Sequence, residues 1–197
     1  MRTQTIVKEI YTFDELSGKA KQAAIDWYRS GDEFEFAAEW VMEDCTKLAK
    51  LIGIDIYNIY YSGFWSQGDG ACFTGDYRYK KGALKSVMSY APLDTELHSI
   101  AKQLQAIQSK HFYGLSAYVV HRGHYYHELC THIDVYRTWE IAVSDDTESD
   151  IKDTLRSFMR WIYSRLESEY EYTQSEEYCI EGITFGGYEF DVNGRIV

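Results

Sequence analysis

Ile54-Asp55-Ile56-Tyr57-Asn58-Ile59-Tyr60-Tyr61 and Ala71-Cys72-Phe73-Thr74-Gly75-Asp76-Tyr77-Arg78-Tyr79 are two runs rich in β-branched and aromatic residues. Such side chains pack well on a pleated surface, so each run predicts a strand. Between them lies Ser62-Gly63-Phe64-Trp65-Ser66-Gln67-Gly68-Asp69-Gly70. Its glycines permit the positive φ values that a strand-to-strand connection needs, and the whole reads as an antiparallel hairpin. Residues 114–122 and 127–137 read as a second hairpin. An opening strand is expected over 4–11, and a last one, with an Asn193-Gly194 turn, at Tyr188–Gly194.

Helical periodicity fills the rest. Ser17 caps a helix with Ala20, Ala23, Ala24 and Trp27 on one side, ending near Gly31. A second runs from about residue 33 to 52 and stops at Gly53. Residues 83–90 make a short helix, and Asp94 caps one carrying Leu97, Ile100, Ala101, Leu104 and Ile107. The last spans about 149–172 with Ile151, Leu155, Phe158, Met159, Ile162, Leu166 and Tyr170 at spacings of three and four. Two hairpins with one-sided helices give an α+β fold. The expectation is an antiparallel sheet of about five or six strands, helices packed mainly on one face, in a single domain over 1–197.

The composition is that of a globular chain: 197 residues, 45% hydrophobic and 26% charged. Tyrosine stands out at 18 residues against one proline, and its ring with a polar tip suits wet sheet faces and binding surfaces alike. The net charge is −11, concentrated in residues 141–197, where five Lys or Arg meet thirteen Asp or Glu. There is no basic stripe, so direct nucleic-acid binding is not expected, whereas a basic partner is compatible with the charge. No run approaches the roughly 20 apolar residues of a membrane span. Four scattered cysteines without a paired motif, behind an amino terminus with no apolar signal core, predict free thiols and a cytoplasmic protein.

Two stretches could carry chemistry. The first, His121-Arg122-Gly123-His124-Tyr125-Tyr126-His127-Glu128-Leu129-Cys130-Thr131-His132, is dense in possible metal ligands. If the turn centres on His124, His121 pairs across from His127, and these three histidines are the only set able to converge. Strand alternation then sends Glu128, Cys130 and His132 to the opposite face, which leaves a metal site without a positioned base. The second is the 62–70 connection. It lacks the Gly-Lys-Ser/Thr ending of a phosphate loop and joins two strands instead of opening a helix. Phe64 and Trp65 could stack on a base or peptide while Gln67 and Asp69 form hydrogen bonds, with Arg122 and His124 as further contacts. No serine-nucleophile elbow is present. Asp145, Asp146, Glu148 and Asp150 sit at a helix start, where the helix dipole accounts for them.

Several of these stretches together resemble a known family. They are Tyr11-Thr12-Phe13-Asp14-Glu15-Leu16-Ser17 with Ala24-Ile25-Asp26-Trp27-Tyr28-Arg29; Tyr61 through Phe73 with its aromatic–Gly-Asp-Gly run; His121-Arg122-Gly123-His124-Tyr125; and Phe158-Met159-Arg160-Trp161-Ile162-Tyr163. The set is similar to phage and prophage proteins described as antitoxins of toxin–antitoxin stability systems. That resemblance implies a binding protein that neutralises a partner by direct contact. Phage origin together with the acidic charge extends the expected target to a host defence factor or toxin in the host cytoplasm. With no catalytic motif in the residues, neither an enzyme nor a cofactor is expected. The resemblance supplies no catalytic residue. The alternatives are a small-ligand or nucleotide sponge built on Trp65, Gln67, Asp69 and nearby tyrosines, and a metal-dependent enzyme on His121, His124 and His127.

Overall fold

A computed structural model describes residues 2, 7–137 and 142–197. The chain divides into two compact units, Met1–Ala38 with Ser168–Val197, and Glu39–Glu167. Ten elements are described in chain order: helices α1 (Gly18–Arg29) and α2 (Glu33–Leu51), strands β1 (Ile54–Tyr61) and β2 (Ala71–Arg78), helices α3 (Ala83–Tyr90) and α4 (Thr95–Lys110), strands β3 (Leu115–His121) and β4 (Thr131–Arg137), and helices α5 (Asp145–Thr173) and α6 (Glu176–Gly186). Short 3-10 turns lie at Phe13–Glu15 and Glu128–Cys130. No helix among the described residues is long and apolar enough to cross a membrane.

The larger unit holds an antiparallel meander in the order β1-β2-β3-β4. The fold is therefore α+β, but the sheet has four strands and not five or six. Residues 4–6 of the expected opening strand lie outside the described residues. Residues 7–10 are irregular, and only Tyr11 pairs, through one reciprocal pair of backbone bonds with Phe190 at 2.9 Å. The expected last strand is likewise reduced to bridges at Phe190, closed by a turn in which Gly194 N–H donates to Asp191 O. Single bridges in the smaller unit do not extend a sheet in the larger one.

In the register of the meander, Tyr77 pairs with Ile54 and Ala117, and Ala117 with Val135. One face thus presents Ile54, Ile56, Phe73, Tyr77, Leu115, Ala117, Val119 and Ile133, all buried. Helices α4 and α5 pack on this face. Phe73 meets Phe158 of α5 edge-on at 6.0 Å, and the buried Gln108 of α4 donates to Leu115 O at 2.8 Å while accepting from Leu115 N–H. Asp94 caps α4 as its sequence predicts, accepting from Leu97 N–H at 2.9 Å. Its second oxygen accepts from Trp161 Nε1 of α5, so the cap also ties two helices together.

The isoleucines of β1 break strict alternation, since 54 and 56 share a parity that 59 does not. Tyr57 is inserted as a bulge between Ile56↔Gly75 and Asn58↔Thr74, which returns Ile59 to the face of Phe73. Gly75 sits where β1 presses closest: a Cβ there would lie 2.1 Å from Asp55 O.

In the smaller unit Phe13, Leu16, Ala20, Ala24, Ile25, Cys179, Ile183 and Phe190 form one core. Helix α6 has no counterpart in the sequence-based expectations. It begins at Ser175, whose Oγ accepts from Tyr178 N–H, and ends at left-handed Gly187. Its internal Gly182 is required by packing, because a Cβ would stand 2.2 Å from the Tyr28 hydroxyl.

Candidate functional site at the loop end of the sheet

The β1–β2 and β3–β4 connections leave the same end of an antiparallel meander, which brings together the two stretches singled out in the sequence. The loops touch. A Cβ on Gly70 would lie 2.9 Å from His127 Cδ2, and one on Gly68 would lie 3.5 Å from the Tyr125 ring. Tyr126 stacks on Tyr60 of β1 with ring centroids 5.3 Å apart, and His121 lies 5.3 Å from Tyr126.

Helix α5 supports the first loop from beneath. Phe64 stacks on Tyr163 at 5.6 Å, and the Tyr163 hydroxyl donates to Gly63 O at 3.4 Å. Burial, with Glu167 and Asp69 nearby, raises the Tyr163 pKa and keeps that donor protonated. Asp69 accepts from Ser66 N–H at 2.6 Å, so its carboxylate holds the loop. Trp65 and Gln67 are exposed. Trp65 adopts φ 82°, a left-handed conformation that costs a non-glycine residue on the order of 1–3 kcal/mol, and its surface is 70% exposed.

The second loop departs from its expected geometry. His121 pairs with Thr131 and not with His127, so the connection is nine residues long and closes with the 3-10 turn at Glu128–Cys130. Alternation therefore does not govern Glu128. The turn carries it inward to 8% exposure, with His127 Nδ1 at 2.9 Å and Arg160 of α5 at 3.3 Å. His121 Nε2 contacts Tyr125 O at 3.0 Å, and His127 Nδ1 accepts from Leu129 N–H at 3.2 Å. His124 is exposed against the edge of Tyr125, and Arg122 is exposed, its backbone N–H donating to Cys130 O. Among the described residues no group of three or more His, Cys, Asp or Glu is arranged to hold a metal ion. Below the loops the Cys72 thiol is buried, and its pKa is pushed up to about 12, mainly by that burial.

Residues 38–176 match a family described as a domain of unknown function, DUF8835. The chain belongs to that family. No curated protein and no solved structure matches the chain. The DUF8835 span takes in the whole larger unit, and with it both loops and the part of α5 beneath them.

The outward groups of this DUF8835 site are Trp65, Tyr125, Tyr126 and Leu129, rings and one aliphatic side chain standing on a base of internal hydrogen bonds. Sequence reasoning placed Trp65, but not Tyr125, Tyr126, Leu129 or the support from Tyr60 and Tyr163. The Tyr125-Tyr126 pair was readable as aromatic density. Its juxtaposition with the other loop needed the strand order.

Proposed function

We propose that this protein acts by stoichiometric contact, as a phage- or prophage-derived acidic binding protein that neutralises a host defence factor or toxin with the loop end of its sheet. One observation carries the reading: two loops distant in sequence meet at one end of the sheet, and each exposes aromatic side chains, Trp65 on one and Tyr125 and Tyr126 on the other, above an internally bonded base. Trp and Tyr concentrate the energy of protein interfaces, because they bury much area while fixing few rotors. A left-handed, exposed Trp65 adds support, since strain retained at the surface needs a reason beyond folding. The charge of −11 would steer encounter with a basic, nucleic-acid-handling partner. The family resemblance supplies the phage setting.

The test is capture from host lysate on immobilised protein. A saturable partner is expected at both about 0.05 M and about 0.3 M salt, because ring burial persists when charge steering is screened. The double variant Trp65→Ser, Tyr125→Ser should lose it. Absence of any saturable partner, or undiminished capture by the variant, removes the reading.

A further inference from the structure

The sheet face opposite α4 and α5 carries an arrangement that folding alone disfavours. Asp55, Asp76, Tyr118 and Asp134 are successive cross-strand partners, one residue from each strand in a single row. Asp55 and Asp76 stand directly opposite each other, where like charges repel. The Tyr57 hydroxyl donates to Asp76, which satisfies one oxygen without supplying charge. Asp134 has His132 at 2.7 Å. Among the described residues no Lys, Arg or His lies within ion-pairing distance of Asp55 or Asp76. Around the row Tyr57, Tyr118 and Tyr136 remain exposed, Tyr118 at 42%.

We propose that this open face binds an arginine-bearing extended segment of a protein partner, with a guanidinium bridging Asp55 and Asp76 and lying on the Tyr118 ring. Charge complementarity selects the occupant, since three carboxylates face one arginine, Arg78, and one histidine. Directly opposed residues lie about 4.5–5.5 Å apart at Cα, a separation that the forked donors of one guanidinium span. A planar guanidinium also stacks on tyrosine, which favours arginine over lysine. Phosphate is repelled by the same carboxylates. The surface shares no residue with the loop end and does not depend on that reading.

The probe is a fluorescein-labelled eight-residue peptide alternating arginine and threonine, followed by anisotropy at about 0.15 M salt. A lysine–threonine peptide is the comparison. Wild-type protein should bind the arginine peptide saturably and more tightly than the lysine one. Asp55→Asn with Asp76→Asn should weaken it about tenfold, the loss of one charge-assisted bidentate contact. Glu177→Gln with Glu181→Gln removes equal charge from the exposed side of α6 and should change it less than about twofold. Tyr118→Ala should shrink the arginine-over-lysine preference. Because Asp55→Asn with Asp76→Asn relieves a repulsion, its Tm should equal or exceed the wild type, which keeps a binding loss distinct from misfolding. No saturable binding, equal losses from both double variants, or an unchanged affinity in Asp55→Asn with Asp76→Asn overturns the proposal. None of these outcomes bears on lysate capture through Trp65.

Discussion

Gly75→Ala should be among the most damaging single changes in the larger unit, although it adds only one methyl group. The added Cβ would sit 2.1 Å from Asp55 O and 3.1 Å from both Asp55 C and Ile56 Cα. All three are backbone atoms of β1, so no rotamer change relieves the contact. The strand must retreat by more than 1 Å to reach an ordinary van der Waals distance, which stretches the pairing of Ile54, Asp55 and Ile56 with β2. Overpacking against movable side chains costs about 1–3 kcal/mol. Here the displaced strand also loosens Ile54 and Ile56, both buried and each worth about 1.5–3 kcal/mol of burial. A destabilisation of about 3–5 kcal/mol follows, which lowers Tm by roughly 6–20 °C in a chain of this size. Urea unfolding followed by circular dichroism measures it. Gly82→Ala is the control. Gly82 also has positive φ, at 79°, but a Cβ there meets nothing within 4 Å, so only the left-handed strain of about 1–2 kcal/mol applies. If Gly75→Ala costs no more than Gly82→Ala, the close approach at the bulge is not what holds β1 in register.

Trp65→Gly should leave stability unchanged or raise it by up to about 1 kcal/mol, since relief of the left-handed strain outweighs the added freedom of the unfolded chain, while capture of the partner is lost. A clear loss of stability in thermal unfolding would show that Trp65 is a structural plug. His111 contacts Arg137 through Nδ1 and Thr147 Oγ1 through Nε2 at 3.1 Å, and its pKa lies below the ordinary 6.5 chiefly through burial, then through Arg137 and Lys110. The unfolded chain therefore takes up this proton first, so the contribution is intact above about pH 6.5 and declines as pH falls from there to the folded pKa. His111→Asn should flatten the urea midpoint between pH 7 and 5 relative to wild type, and parallel curves would refute the assignment. Of the four thiols only Cys130 is more than marginally exposed, and burial pushes those of Cys45 and Cys72 up to about 12. Folded protein should thus react rapidly with one equivalent of a disulfide reagent at pH 8, and rapid reaction of two or more thiols would contradict the packing.

Periodicity and caps were enough for most elements. Asp94 before the stripe Leu97, Ile100, Ala101 and Leu104 specifies α4, and the paired β-branched runs specify both hairpins, because these signals act between near neighbours in the chain. Asp145, Asp146 and Glu148 do occupy the first turn of α5, as the dipole requires. What local pattern left undecided depends on partners far along the chain. Gly182 spoils the helical look of 176–186, yet it is there because Tyr28 needs the space. Tyr11 and Phe190 sit in strand-like stretches but make only isolated bridges, Tyr11 with Phe190 and Phe190 with Ile196, so propensity without a row of partners yields bridges and no strand. The bulge at Tyr57 settles which isoleucines of β1 are buried. The 3-10 turn at Glu128–Cys130 overrides alternation and turns Glu128 inward toward His127 and Arg160. The sequence named both loops as candidate sites. Their contact arises because antiparallel β1-β2-β3-β4 pairing delivers both hairpin ends to one edge, and that pairing is decided by burial against α4 and α5, not by either loop.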